Sequence, residues 1–457
     1  MGRNAKVSGG TFGRAVVVGA GISGLLAARV LSEHASGVIV LDRDALPEGP
    51  HDRRGVPQGR HLHSLATRGS QLLEGFFPGL DADLARKGAP LVDQALDTVT
   101  AFPEGRLPRF RSGITMRAVS RSLLEREVRR RVEALPNVRF SERREAAGLL
   151  HSKGRVFGVL TRDRDGSGRG VPEEIEADLV VDASGNASRA PRWLSDLGYA
   201  APEEEVVDAR LGYATRWYRA PEPEGRDWKS LAVLPGWPEN PRGGSLRIVE
   251  GGLMTAVLLG IGSVQPPSGP EAGDQFEAYA ELLPSDALAA ALRGAEPVSP
   301  VYGYRRTANR RRRYERARMP EGFVVTGDAA CVLNPSYGQG MTLAALSAEA
   351  LARSLAKGRS GFERRFQRAQ ARAVSPAWRT TTASDAQWAR GSLEELGALG
   401  RYAHRVSGEV IRTATADRRA ARDLLAVKNL LASPLRLARP ALIFPAALRA
   451  TKPRLPA

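Results

Sequence analysis

A single cysteine, Cys331, stands in 457 residues. It excludes an internal disulfide and any zinc or iron–sulfur centre built from several thiolates. Long apolar runs are also missing. Without a stretch of about eighteen consecutive apolar residues, no spanning helix is expected. Aromatic residues make up only 6%, and none interleave with the basic runs as a base-stacking platform would require, which argues against nucleic acid as a partner. Residues 1–12 are polar and Gly-rich and lack the apolar core of a secretory signal, so a cytoplasmic protein is expected. Asp and Glu number 50 against 67 Lys and Arg, a formal net charge of +17. Lysine contributes little to that excess. An anionic cofactor, an anionic surface, or a genome that favours Arg and Ala would each produce it. With 42% hydrophobic and 26% charged residues, the chain reads as globular. Its length suits two interleaved domains, or one large domain with an appendage.

The first ordered element is the apolar, β-branched run 15–18. It leads into Gly19-Ala20-Gly21-Ile22-Ser23-Gly24, then into helical apolar spacing over 25–33. Gly37 breaks that pattern, and 38–41 reads as a second buried parallel strand. This is a βαβ unit carrying the dinucleotide fingerprint. Gly19 permits the tight turn, Gly21 lets a pyrophosphate approach the backbone, and Gly24 lets helix pack on strand. The helix N-terminus offers free N–H groups to a phosphate. Asp42 ends the second strand, where a carboxylate can hold ribose hydroxyls. The fingerprint alone does not choose between FAD and NAD.

Further along, 64–77 reads as a helix. Residues 120–135 form an amphipathic helix with Leu123, Leu124, Val128, Val132 and Leu135 on its apolar side. Strands are expected at 138–140, 156–160 and 179–181, with a polar Gly-rich turn over 163–172. From 201 to 300 the texture changes to period-2 stretches such as 210–218 and 253–259, the mark of an antiparallel, mixed sheet. The parallel-strand pattern returns at 323–326, a helix follows over 341–355, and 361–457 is mainly helical.

The second Gly-Asp, Gly327-Asp328, ends the strand at 323–326 and precedes Asn334-Pro335-Ser336-Tyr337-Gly338-Gln339-Gly340-Met341 and a helix. Here the sequence resembles the class A-like flavoprotein monooxygenases. The resemblance implies that Asp328 contacts the FAD ribityl chain and that Pro335, Gly338, Gly340 and Met341 lie against the isoalloxazine ring, with the next helix pointing its N-terminus at the flavin. A helix N-cap is the plainer role for Asp328. Ser120-Arg121-x-Leu123-Leu124 matches the family's Arg before an amphipathic helix, although Arg121 also suits an ordinary solvated helix start. Asp182-Ala183-Ser184-Gly185 departs from the family's Asp-Gly, a variant also found in geranylgeranyl-reductase-like flavoproteins. The loop Arg54-Gly55-Val56-Pro57-Gln58-Gly59-Arg60-His61-Leu62-His63 is similar to that of actinobacterial polyether epoxidases of the lasalocid and monensin pathways, themselves akin to squalene epoxidase. The likeness continues through Asp42-Arg43-Asp44-Ala45-Leu46-Pro47 and covers most of 14–355 in order.

This resemblance implies an α/β fold, with a Rossmann-like FAD-binding domain of the glutathione-reductase type interleaved with a mixed β-sheet substrate domain, plus a C-terminal helical region. The expected boundaries are 1–84, 115–200 and 300–357 for FAD, 85–114 and 201–299 for substrate, and 358–457 for the helical region. The expected cofactor contacts are Gly19, Gly21, Ser23, Gly24, Asp42, Arg43, Arg60, Arg121, Asp182, Gly327, Asp328, Pro335, Gly338, Gly340 and Met341. The implied activity is an FAD-dependent monooxygenase, an epoxidase or hydroxylase acting through a flavin C4a-hydroperoxide on an apolar polyene, terpenoid or polyketide of secondary metabolism. O₂ is the co-substrate. NADPH or NADH supplies electrons, directly or through a separate flavin reductase, since no second fingerprint is present. The cofactor owns the chemistry, so no catalytic side chain is assigned. An isoprenoid double-bond reductase, a flavin-binding carrier without turnover and a flavin-dependent halogenase are the rivals, the last lacking its Trp-x-Trp-x-Ile-Pro motif here. His61 and His63 lack the further ligands of a metal site. Trp193, Trp217, Trp228 and Trp237 suit packing better than substrate stacking. In the tail 431–456, Pro434, Pro440 and Pro445 interrupt any long membrane-surface helix.

Overall fold

The structure is a computed structural model that describes residues 12–53, 55–164, 172–220, 226–390, 392 and 394–439. The sequence readings on 1–11, Arg54, the tip of the polar turn at 165–171 and the tail from 440 onward lie outside the described residues.

Five parallel strands form the central sheet, in the order Phe323–Val325, Leu179–Asp182, Phe12–Val18, Ala35–Leu41 and Val138–Ser141. The runs Phe323–Val325, Leu179–Asp182 and 15–18 are short and buried, as strands covered on both faces must be, while the edge strand Val138–Ser141 is only partly covered. One face packs on helices Ile22–Leu31, Arg121–Glu133 and Gly340–Leu355 through Leu25, Leu26, Leu124 and Ala345. The other face carries Val16, Val180, Trp193 and Phe323, under the antiparallel sheet of Arg144–Ser152, Arg155–Asp163 and Glu173–Glu176. Trp193 is thus a packing anchor. The expected helix at 120–135 runs over Arg121–Glu133, capped by Ser120 Oγ accepting from Leu123 N at 3.2 Å.

The expected period-2 strands are Leu211–Arg219 and Leu253–Ile261, paired antiparallel in an eight-stranded sheet. Thr98–Phe102 joins that sheet parallel to Ser230–Val233. Because side chains alternate across a strand, the sheet has two unlike faces. One buries Leu231, Leu246, Met254 and Leu258 beneath Phe276 and Leu288 of helices Gly273–Glu281 and Ala287–Leu292. The other carries the cross-strand row Thr98, Ser230, Arg247, Thr255 and Trp217. Beside it runs Thr100, Ala232, Ser245, Val257 and Thr215. This second face is polar around Thr98, Ser230, Arg247 and Thr255 and apolar toward Tyr213 and Leu259.

The C-terminal helices belong to the core. Helix Phe362–Arg390 packs along Gly340–Leu355. Its Gln367 and Gln370 donate to the Val325 carbonyl at 3.0 and 3.1 Å, and Thr326 Oγ1 donates to Gln370 Oε1 at 2.7 Å. Helices Ala398–Ala416 and Arg418–Lys428 bury Val410, Ala414, Ala421 and Leu425 against Ala95, Leu107 and Ile114. Among the described residues no helix is long and apolar enough to cross a membrane.

Candidate functional site: a dinucleotide cradle facing a polar sheet

The turn after the first strand shows why its three glycines are there. Gly19 has φ 102°, and a Cβ on it would sit 2.7 Å from the Ala183 carbonyl. A Cβ on Gly24 would fall 1.8 Å from the Gly19 carbonyl. At Gly21 nothing comes nearer than Arg53 Nη2 at 3.9 Å, so the space above that backbone is open. Gly21 is also the N-cap of helix Ile22–Leu31 and offers no side-chain cap. The first-turn N–H groups therefore point into open space, as an anion site needs.

Asp42 faces this turn. Its Oδ2 accepts from Ala20 N at 2.7 Å and from Arg53 Nη1 at 3.0 Å, and its Oδ1 accepts from Asp44 N at 2.9 Å. Arg53 Nε reaches Glu125 Oε1 at 2.9 Å, and Glu125 Oε2 meets Arg121 Nη2 at 2.6 Å. A buried chain of alternating charge thus runs Asp42–Arg53–Glu125–Arg121. Arg53 is surrounded by three carboxylates that outweigh its burial and raise its guanidinium further above the usual range. Burial acts the other way on Arg121, lowering it against the pull of Glu125. Arg121 Nη1 lies 3.6 Å from Met341 Sδ, and its charge also acts on Asp328. Burial raises the Asp328 carboxyl, and among the described residues its oxygens hold no hydrogen-bond partner.

Gly327 has φ 62°, and a Cβ there would lie 2.1 Å from Ser23 Oγ. That Oγ is buried and has no hydrogen-bond partner among the described residues. Gly338 has φ 66° and packs on Ser64, and Gly340 opens onto free space at the start of helix Gly340–Leu355, whose cap Gln339 supplies no side-chain bond. Gly19, Gly21 and Gly24 thus shape the first turn, which Asp42 faces; Ser23 reaches Gly327, Arg121 reaches Met341 and acts on Asp328, Gly338 and Gly340 precede the next helix, and Pro335 opens the 3-10 turn Pro335–Tyr337.

The remaining expected contacts are placed elsewhere. Asp182 is fully buried and serves its own loop, accepting from Ser184 N at 2.9 Å and Ser188 Oγ at 2.5 Å. Burial raises its carboxyl. It fixes the backbone on which Gly19 rests, so its contribution is to the shape of the turn. Arg60 is exposed, pairs with Asp52 at 3.5 Å and stacks over Tyr302 at 5.1 Å. Arg43 is exposed beside Gly55 and Asp44. Arg53, which sequence reasoning missed, occupies the position expected of its neighbours. Its loop has no periodicity to say which Arg turns inward.

One further group was not foreseen, while His61 and His63, singled out in the sequence, take structural places. Asp385, from helix Phe362–Arg390, accepts from Asn309 Nδ2 at 2.6 Å, Asn334 Nδ2 at 2.9 Å and Tyr337 OH at 2.7 Å. It braces the turn 334–337 from behind. His61 Nδ1 bonds Thr215 Oγ1 at 2.8 Å and meets the Tyr213 ring edge-on at 4.9 Å, tying the loop to the polar sheet face. His63 Nδ1 donates to the His61 carbonyl at 2.9 Å, which fixes its hydrogen on Nδ1. Among the described residues no group of three His, Cys, Asp or Glu could hold a metal ion.

Burial, aided by nearby positive charge, pushes His61 down to about 3 and His63 to about 4. The unfolded chain protonates both near about 6.5. Between these values the unfolded state binds more protons, so stability is intact above about pH 6.5 and falls as pH drops toward the folded values. Acidification from pH 7 to 5 is expected to remove about 2 kcal/mol through His61 alone. Urea unfolding at both pH values checks this, and His61→Gln should flatten the dependence by about half. An equal slope in that variant would refute it.

The donor set suits FAD: an uncapped helix start for a pyrophosphate, an orphaned Ser23 hydroxyl, an unpartnered Asp328 for ribityl hydroxyls, and a glycine-lined turn leading to a second uncapped helix. The site thus has the form of a flavin cleft. Residues 14–384 match the family described as FAD binding domain, and the chain belongs to that family. It is 35% identical over 415 residues to Protein Rv3254 of Mycobacterium tuberculosis, covering 88% of this chain and 86% of that one. It is 32% identical over 177 residues to kynurenine 3-monooxygenase of Salinispora tropica, covering 38% of this chain and 36% of the relative. The flavin-dependent brominase Bmp2 shares the fold, with TM-score 0.66 and 13% identity over 95% of this chain and 98% of that structure.

Proposed function

We propose that the chain is an FAD-dependent monooxygenase that adds one oxygen atom to an organic substrate, by hydroxylation or epoxidation, using NADPH or NADH for electrons. The observation that carries this reading is the approach of Ser23 to Gly327 and of Arg121 to Met341 and Asp328, which brings the fingerprint turn beside the 327–341 segment. A flavin held there would leave room for its substrate toward the eight-stranded sheet, which the His61–Thr215 contact ties to the loop carrying Arg53. The bound cofactor, when reduced, supplies the activation of O₂. The chain supplies placement: Asp328 and Arg121 for the ribityl chain, the N-terminus of helix Gly340–Leu355 for the ring's negative charge, and the 334–340 turn for its position. Sequence identity to a named monooxygenase supports the reaction class. A halogenase shares the fold, but the tryptophan motif of that activity is absent from this sequence.

The test begins with colour. Purified protein incubated with FAD should retain it, and anaerobic mixing with NADPH should bleach it, alone or with an added flavin reductase. Readmitted O₂ should then be consumed in proportion to the flavin reoxidised. Protein that stays colourless, or reduced flavin that does not return with O₂, would reject the reading.

A further inference from the structure

Arg121 is only 8% exposed, and its guanidinium has two unequal neighbours. Nη2 meets Glu125 Oε2 at 2.6 Å. Nη1 donates to Met341 Sδ at 3.6 Å. A thioether is among the weakest acceptors a side chain offers, whereas a buried charged donor gains most from a strong one. Among the described residues no second carboxylate pairs with Arg121, although its charge acts on Asp328. One N–H of a buried cation is therefore left against a sulfur that a single added oxygen atom would turn from a weak acceptor into a polar one.

The position of that sulfur matters as much as its partner. Met341 is the second residue of helix Gly340–Leu355. A Cβ on Gly340, its neighbour, would meet nothing within 4 Å, so the backbone beside the thioether borders open space. The other buried methionines are packed among apolar side chains. Met116, 4% exposed, lies with Val92 and Ala118, and Met254, 0% exposed, lies with Leu231 and Leu246. Met341 is 9% exposed and so is scarcely more open than Met116, yet it alone of the three faces a guanidinium. Burial pushes the thiol of Cys331 up to about 12, so no thiolate stands ready to take an oxidant in its place.

We propose that Met341 is a site of reversible oxidation through which hydrogen peroxide weakens the hold on FAD. The sulfur lone pair attacks one peroxide oxygen, the S–O bond forms as the O–O bond breaks, and the leaving hydroxide takes the proton of the transferred oxygen and departs as water. Sulfur is oxidised by two electrons and the peroxide is reduced by two. The new oxygen competes for Arg121 with Asp328 and with the cofactor that both serve. The source of the peroxide rests on the reading of this chain as an O₂-using flavoenzyme, because O₂ reduced without transfer to a substrate is released as hydrogen peroxide. Electrons wasted in that way would then switch the protein off until the sulfoxide is reduced.

The experiment treats the FAD-loaded full-length protein with hydrogen peroxide, removes the excess with catalase, reads each methionine by peptide mass and titrates FAD by fluorescence. Met341 should gain one oxygen at least about tenfold faster than Met116, and FAD affinity should fall at least about tenfold. Methionine sulfoxide reductases should restore the affinity. Met341→Leu should keep its own FAD affinity through the same treatment, whereas Met319→Leu, altered at a half-buried methionine packed elsewhere, should lose it as the wild type does. Oxidation of Met341 no faster than that of Met116, a sulfoxide form that binds FAD like the untreated protein, or a loss of affinity that persists in Met341→Leu would each overturn the assignment. Oxidation is read by mass and needs no turnover, so this result is separate from whether O₂ is consumed.

Discussion

Gly24→Ala is expected to give a protein that neither holds FAD nor melts near the wild-type temperature. The added methyl would stand 1.8 Å from the Gly19 carbonyl, with Val17 Cγ1 at 3.4 Å behind it. The clashing atom is backbone, so no rotamer change relieves it. Helix Ile22–Leu31 would have to lift from the first strand, opening the core around Leu25 and Leu26. Overpacking of this severity costs about 3 kcal/mol or more. Gly21→Ala is the informative contrast. Its methyl would meet nothing nearer than the Arg53 guanidinium at 3.9 Å, so melting of the flavin-free protein should stay within about 0.5 kcal/mol of the wild type. The methyl nevertheless fills the space left for a pyrophosphate, and FAD affinity should fall by at least about tenfold. Calorimetry of the apoprotein and fluorescence titration with FAD separate the two. A Gly21→Ala protein with wild-type FAD affinity would show that the phosphate path runs elsewhere.

Asp385→Ala should be nearly as damaging, by another route. The carboxylate takes three donors, from Asn309, Asn334 and Tyr337. Its removal leaves two amides and a phenol without an acceptor in a buried place, at about 1–3 kcal/mol for each orphan and about 3 kcal/mol together. Asn334 also caps the 3-10 turn by accepting from Ser336 N at 3.1 Å. The loss therefore reaches the segment that should lie against the flavin ring. Expected results are a lower melting temperature, weaker FAD binding and a shifted flavin reduction potential, with Tyr337→Phe losing only one of the three bonds and much less stability. A variant with unchanged potential and flavin affinity would reduce Asp385 to a packing element.

Much of the scaffold was legible because it is local. Branched runs at 15–18, 38–41 and 179–181 can be little else than buried strands, and the period-3.6 face of Leu123, Leu124, Val128 and Val132 fixes its helix. The glycines at 19, 24, 327 and 338 sit in turns where a side chain would strain or clash, and Gly21 leaves open the space a phosphate would take, so small residues at these places could be read in the sequence. What escaped depends on which way a side chain turns. Arg53 and Arg60 share one irregular loop, and nothing in it says that the first turns inward and the second stays exposed. Asp182 looks like a ligand but is consumed by Ser184 and Ser188 of its own loop. Asp385 sits among small polar residues of a helix, a pattern that reads as a solvated face until the Asn309 and Asn334 amides arrive from 76 and 51 positions away. The polar floor was hidden likewise. Alternation revealed the strands, but the row Thr98, Ser230, Arg247 and Thr255 exists only once four separated strands are in register.

The brace supplied by Asp385 also orders events during synthesis. A nascent chain has completed the strand that carries the fingerprint turn's neighbours by residue 183, yet the turn at 334–337 lacks its Asp385 brace until residue 385 has left the ribosome. Asn429, which accepts from Thr67 N at 3.1 Å, comes later still. Pigmentation is therefore expected late in biogenesis, and ribosome-released fragments that stop short of 385 should accumulate as pale, protease-sensitive chains.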